Sequence, residues 1–339
     1  MIMSVKTEVL SCLEQNRGKD ISGEALAQQL GVSRAAVWKA INSLKQQGYP
    51  IDSVTNRGYR LLESSDILSE EGITPFLNGD AASAKVVVFD EIDSTNMEAK
   101  RRAANGDKNP LIIVADRQNM GRGRFGRIFY SPQGCGIYMS MLIYPTQDQL
   151  SQATMFTTAA AVAVCRAISS LSEVDPKIKW VNDIYVDSKK VCGILSEAVF
   201  DMENGVIGSI VVGIGINFKN GGELPKEIAD IAGTVFGNDP PTSRNMLTAQ
   251  VANEFFEILK NIHSHEFLKE YRERSMLLGE EIVYSRGDEK YAAVAEDIDD
   301  DGALVVRFED GRREALRSGE VSVRTKAMAA SLPSPIVNG

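Results

Sequence analysis

Residues 178–217 read IKWVNDIYVDSKKVCGILSEAVFDMENGVIGSIVVGIGIN. Strand-like apolar runs at 178–181, 184–186, 191–197 and 206–213 are separated by polar turns at 187–190 and 201–205. Strands joined by so few residues must lie antiparallel, because a parallel crossover needs about a dozen residues or more. The stretch therefore predicts an antiparallel or mixed sheet at the centre of the chain and excludes a simple dinucleotide-binding fold. Gly213-Ile214-Gly215 does not extend into GxGxxG, and no GxxxxGK[ST] is present, so a P-loop is not expected either.

Toward the N-terminus the alternation continues. Val86–Phe89, Leu111–Ala115 and 136–144 read as strands, and 151–169 as an Ala-rich buried helix. Asp93-Ser94-Thr95-Asn96 precedes a helix to about Ala104; taken alone, such a cluster usually caps the helix. Between two strands lies Gly121-Arg122-Gly123-Arg124-Phe125-Gly126-Arg127. Its glycines allow close backbone approach, and its arginines carry planar donors suited to phosphate or carboxylate. As bare composition it could be an RGG-like nucleic-acid segment or a solvated loop. Set between strands, it reads as an active-site lid, mobile until an anion neutralises its charge.

The first sixty residues have a different character. Val5, Val9, Leu10 and Leu13 mark one amphipathic helix, Ser22 opens a second, and Gly31-Val32-Ser33 turns into a third that runs to about Gln46. In the third helix Val37, Ile41 and Leu44 face inward. Ala35, Ala36, Lys39, Asn42, Ser43 and Gln46 form the opposite face, small and polar enough to enter a major groove. Residues 49–62 read as a hairpin tipped by Asn56-Arg57-Gly58, the wing of a winged helix-turn-helix. Residues 1–63 hold eight Lys+Arg against six Asp+Glu, whereas 64–277 and 278–339 are acidic, within a net charge of −9. Because phosphate contacts supply most nucleic-acid affinity, DNA binding is expected only in the first segment.

Beyond the sheet, 243–274 reads as one helix with Leu247, Val251, Phe255, Leu259 and Ile262 on its buried face. From Glu281 the pattern changes to short strands with hairpin signals at Asp301-Gly302 and Asp310-Gly311, which suggests a small SH3-like barrel. Residues 327–339 are expected to be a disordered tail. The four cysteines lack CxxC spacing, the apolar runs fall short of a membrane span, and the first twenty residues lack a signal-peptide core. A cytoplasmic protein without a structural metal is expected. His263 and His265 should point to different helix faces rather than share a metal.

Four motifs in order, Gly121–Arg127, Lys179-Trp180-Val181-Asn182-Asp183-Ile184, Lys190-Val191-Cys192-Gly193-Ile194-Leu195 and Gly213-Ile214-Gly215-Ile216-Asn217, resemble those of biotin protein ligases. The basic winged helix in front resembles the bifunctional ligase–repressor branch, and the resemblance covers about residues 5–326. Val181 stands where the family usually has proline, and Phe129 where tryptophan is common. These departures are expected to loosen the turn before Asn182 and to trim an aromatic contact of the lid.

The resemblance implies an α+β multidomain chain: a winged helix-turn-helix over 1–65 (helix-turn-helix about 23–42), a class II synthetase-like ligase domain with a mixed/antiparallel sheet and helices over 66–277, and a small SH3-like β-barrel over 278–326. It implies ATP-dependent formation of biotinyl-5′-AMP and transfer of biotin to a lysine of a biotin carboxyl carrier protein, a subunit of acetyl-CoA carboxylase or another biotin-dependent carboxylase or decarboxylase. The adenylate-bound chain would bind operator DNA as a homodimer. Catalytic roles fall to Lys190, Arg124 and Asp183. Biotin would be held by Ser94, Thr95, Asn96, Gln118, Arg122, Gly123, Arg124 and Lys190, and ATP with Mg²⁺ by Arg122, Arg127, Asn182, Asp183 and Asn217, with Asp183 facing the ion. DNA would be met by Ser33, Arg34, Ala35, Ala36, Lys39, Asn42, Ser43 and Arg57. Two other readings remain open here: a repressor that only senses biotin, and a lipoate ligase, which shares the fold but not the GRGRxGR loop.

Overall fold

The structure is a computed structural model, and it describes residues 4–54, 57–201, 206–221, 224–286, 289–317 and 321–325. Helices α1 (Val5–Gln15), α2 (Gly23–Leu30) and α3 (Arg34–Gln46) lead into a hairpin of β1 (Ile51–Val54) and β2 (Gly58–Leu61). The serines Ser4, Ser22 and Ser33 each accept a backbone N–H of the first helical turn, and Gly31 closes α2 in the left-handed conformation. Val9, Leu13, Leu26, Val37, Ile41, Leu44 and Leu61 are all at most 1% exposed and form a core of their own. The wing is present; Asn56, named for its tip, lies outside the described residues.

After α4 (Glu70–Ile73) the chain enters β3 (Lys85–Phe89), α5 (Thr95–Ala104), β4 (Leu111–Ala115) and β5 (Gly136–Ile143). The helix expected over 151–169 is split. A capping box at Thr146 starts the short α6 (Gln147–Ser151), and α7 begins only at Phe156 and runs to Leu171. β6 (Lys177–Lys179), β7 (Asp183–Val186), β8 (Lys189–Asp201) and β9 (Val206–Asn217) complete a seven-stranded sheet in the order β3-β4-β5-β9-β8-β7-β6. β3 and β4 pair in parallel and the remaining neighbours are antiparallel, so the sheet is mixed. β6 stops two residues short of the expected Val181. Lys190 lies within β8 rather than in the preceding turn, because Asp187 and Ser188 make that turn with positive φ.

Alternation along the strands divides the sheet between two faces. In β4, Ile112 and Val114 join the large core under α7, while Leu111 and Ile113 pack with Ala99 of α5. In β9, Val212, Ile214 and Ile216 join the large core, so the intervening Gly213 and Gly215 lie on the α5 face. That face is left without bulk where the candidate site forms.

After α8 (Lys226–Ala229), the single helix expected over 243–274 is two: α9 (Arg244–Lys260) and α10 (Phe267–Glu273), separated by a 3-10 turn that ends at left-handed His265. The hydrophobic spacing continues through the break, which is why the sequence hides it. The C-terminal strands β10 (Glu281–Arg286), β11 (Glu289–Ile298), β12 (Leu304–Arg307), β13 (Arg313–Leu316) and β14 (Val321–Thr325) form an antiparallel sheet in the order β13-β12-β11-β10-β14. β13 was not among the expected strands; its Arg-Glu-Ala-Leu sequence carries little β-propensity. This sheet shares the large core and docks through Trp180, whose Nε1 donates to the Gly302 carbonyl at 2.9 Å. No described helix is long and apolar enough to cross a membrane.

Candidate functional site

The glycines of β8 and β9 floor a cavity of about 510 Å³ between α5, the 121–129 loop and the β7–β8 corner. A Cβ on Gly213 would stand 2.1 Å from Asn96 Oδ1, and one on Gly215 would stand 2.4 Å from the Phe129 ring. Neither position can therefore carry a side chain without displacing a wall of the cavity. Phe129 lies across Gly215 and Gly193 and packs edge-on to Tyr138.

Ser94 is the N-cap residue of α5, but its side chain makes no capping hydrogen bond. Thr95 donates through its backbone N and hydroxyl to Gln118 Oε1, at 2.9 and 3.1 Å, and Gln118 Nε2 donates to Ser131. Asn96 Nδ2 donates to Glu197 at 2.8 Å and to the Leu195 carbonyl, while its Oδ1 lies 2.6 Å from the Ser140 hydroxyl. Ser140 is fully buried and also 2.7 Å from Thr95 Oγ1. Its single proton is shared between Thr95 Oγ1 and Asn96 Oδ1, which ties both residues to one buried hydroxyl. Glu197 in turn pairs with Lys100 at 2.7 Å. Ser140 and Glu197 were missed from the sequence. The available signal was a lone serine among the large side chains of GIYMSMLI in β5.

Across the cavity, Lys190 Nζ stands 2.6 Å from Asp183 Oδ1. The contact is a close ion pair outside hydrogen-bond angles, so no aligned donor satisfies that buried oxygen. Arg124 Nη1 donates to Asn182 Oδ1 at 3.2 Å. Burial lowers the Arg124 pKa, with Asp183 pulling the other way. The turn at Val181–Asn182 is tied on both sides: Tyr271 donates to the Val181 carbonyl at 3.0 Å, and Asn182 exchanges two hydrogen bonds with Ile194.

The loop expected to be mobile has closing bonds of its own, from Gly123 N to the Arg127 carbonyl at 2.8 Å and from Phe129 N to the Gly121 carbonyl at 2.9 Å. Ser94, Thr95, Asn96, Gln118, Arg122, Gly123, Arg124, Arg127, Asn182, Asp183 and Lys190 all line the one cavity. Asn217 does not; its side chain donates to the Gly233 carbonyl and ties down the following loop. No described cluster of three His, Cys, Asp or Glu side chains could hold a metal, and His265 bonds Gln152 rather than converging with His263.

On α3, Ala35 and Lys39 are exposed and Ala36, Asn42 and Ser43 half-buried on the outer face. Ser33 is engaged as the N-cap, accepting from Ala36 N at 3.2 Å. Arg34 lies 3.5 Å from Glu24, and Arg57 of the wing lies 3.5 Å from Asp20. Trp38, absent from the expected face, is 60% exposed beside it.

Comparison with known proteins agrees with this geometry. The family model of the biotin/lipoate A/B protein ligases matches residues 88–217, an HTH domain matches 6–60, and the biotin protein ligase C-terminal domain matches 277–324. The bifunctional ligase/repressor of Bacillus spizizenii is 35% identical over 233 residues, covering 68% of this chain and 71% of that protein. That of Escherichia coli is 28% identical over 320 residues, covering 91% and 94%. The biotin protein ligase from Aquifex aeolicus in complex with biotin and ATP superposes with a TM-score of 0.60 at 29% identity, over 71% of this chain and 99% of that one. With its glycine-floored cavity, its arginine loop and its winged helix, the chain belongs to the biotin protein ligase family, in the bifunctional ligase/repressor branch.

Proposed function

We propose that the Lys190–Asp183 pair is the centre at which biotin's carboxylate meets ATP, and this pair is the observation that carries the reading. The carboxylate oxygen attacks the α-phosphorus, pyrophosphate leaves, and biotinyl-5′-AMP forms. Two anions must converge in this step. Lys190 places a cation between them, and Asp183 orients that cation. Arg124, steadied by Asn182, lies over the acyl-phosphate, while Arg122 and Arg127 at the rim meet the remaining phosphates. Ser94, Thr95, Asn96, Gln118 and Gly123 hold the biotin head, with Ser140 and Glu197 fixing which atoms Thr95 and Asn96 present. In the second step the ε-amine of a lysine on a biotin carboxyl carrier protein attacks the acyl carbon, and AMP leaves. Positioning dominates such chemistry, and no covalent protein intermediate is needed.

Mg²⁺ suits a single protein carboxylate plus substrate phosphates. Asp183 would hold an ion that arrives with ATP through the carboxylate it shares with Lys190. The ion would supply charge neutralisation at the phosphates. The unit boundaries 1–65, 66–277 and 278–326, and closure of the C-terminal sheet into an SH3-like barrel, belong to the same reading. So does a homodimer that forms when the adenylate is bound and sets two winged helices on operator DNA.

Biotin-dependent ATP–pyrophosphate exchange, with lipoate as control, tests the reading. Exchange with biotin alone is expected. Exchange with lipoate alone would make the chain a lipoate ligase. Biotin binding without exchange would make it a sensor that only represses.

A further inference from the structure

In the winged-helix segment, among the described residues, Trp38 is the single large apolar side chain left exposed, at 60%. The fold did not lack places to bury one: Val37, Ala40, Ile41 and Leu44 of the same helix are all inside. At 100° per residue Trp38 lies on the edge of the outer face. Arg34 and Asn42 sit one turn before and after it on the same ridge, with Ala35 beside it. Arg34, Lys39 and Lys45 lie on the same helix, in the N-terminal segment where eight Lys+Arg stand against six Asp+Glu, with Arg34 3.5 Å from Glu24. An exposed indole adds nothing to folding. On a cationic helix face sized for a major groove, it meets the apolar group that base edges offer there, the thymine C5-methyl.

We propose that Trp38 is a specificity-determining residue that reads thymine methyl groups in the major groove beside Asn42. This rests on the DNA-binding reading of the winged helix and names the chemistry of its recognition. Trp38 carries no charge and displaces no counterion. Its contribution should therefore be independent of salt, in contrast to that of Lys39.

The probe is the duplex that the full-length chain, incubated with biotin and ATP, enriches from a random-sequence pool. A second duplex carries uracil in place of every thymine. Wild-type protein is expected to bind the uracil duplex about 10-fold or more weakly. Trp38→Ala should bind the thymine duplex roughly 10- to 100-fold less tightly than wild type, the size of one specific base contact, and should no longer distinguish the two duplexes. Its salt slope and its affinity for unrelated duplexes should match wild type. The chain has two tryptophans, and Trp180 is 6% exposed in the ligase region. The emission change on adding the duplex should thus vanish in Trp38→Phe. Helix content by circular dichroism separates misfolding from lost contact, and Trp38→Phe serves as the conservative second variant. A Trp38→Ala protein that keeps wild-type affinity, or that still loses as much on the uracil duplex, overturns the assignment. A full-length chain that enriches no duplex overturns the DNA-binding reading, and this proposal with it.

Discussion

Arg244, at the start of α9, closes on Asp66 in the segment that joins the winged helix to the ligase sheet. Its Nε lies 3.1 Å from the Asp66 carboxylate and its Nη2 donates to the Asp66 carbonyl at 2.6 Å. Nη1 reaches Asp116 and the Gly136 carbonyl, and Lys219 pairs with Asp66 from the other side at 2.6 Å. Burial opposes the Arg244 charge, but Asp66 and Asp116 outweigh it and its pKa rises. Asn245 extends the clamp by bonding Ser69 N and the Ile67 carbonyl. Arg244→Met would leave two carboxylates facing a buried gap. It should destabilise the chain by about 3–5 kcal/mol, read as a lower urea midpoint. Arg244→Lys, which keeps the charge but not the fork, should lose less.

Lys190→Ala should slow biotin adenylation by about 100-fold or more, the scale of losing one charged donor to a developing transition state. The measurement is biotin-dependent pyrophosphate exchange. An unchanged rate would remove Lys190 from the mechanism.

Gly213→Ala should raise the KM for biotin with a smaller effect on kcat. Its methyl group would occupy the place of Asn96 Oδ1, which must swing off Ser140 to make room. Overpacking of this kind costs about 1–3 kcal/mol, or roughly 5- to 150-fold in affinity. Isothermal titration with biotin checks it, and an unchanged dissociation constant would show that Asn96 is free to move.

Asp93 governs an acid transition at the start of α5. Two hydrogen bonds from Arg101, with help from Ser94 N, hold its carboxyl down at about 2, against an ordinary 3.8. A depressed carboxyl contributes stability in full above its unfolded value and loses it as pH falls through its folded one. Thermal midpoints should thus decline between about pH 4 and 2 in the wild type. The decline should be shallower in Arg101→Met, and equal slopes would contradict the pairing.

The sequence by itself determined what neighbours along the chain can encode. Ser22, Ser33 and Gly31 wrote the helix-turn-helix, because capping and left-handed turns depend only on local residues. Short turns forced β7, β8 and β9 to run antiparallel. The Val-Gly-Ile-Gly-Ile alternation of β9 fixed which face would be packed and which left open. Tertiary structure decided the partners. Ser140 and Glu197 reach Asn96 from 44 and 101 residues away, and Arg244 reaches Asp66 from 178. No local pattern marks such pairs, because they exist only once the sheet register and the docking of α9 are set. For the same reason Asn217, at the end of a recognised motif, turned to Gly233 and left the cavity. Trp38, at the edge between the two helix faces, stands in solvent while Val37, Ile41 and Leu44 lie inside.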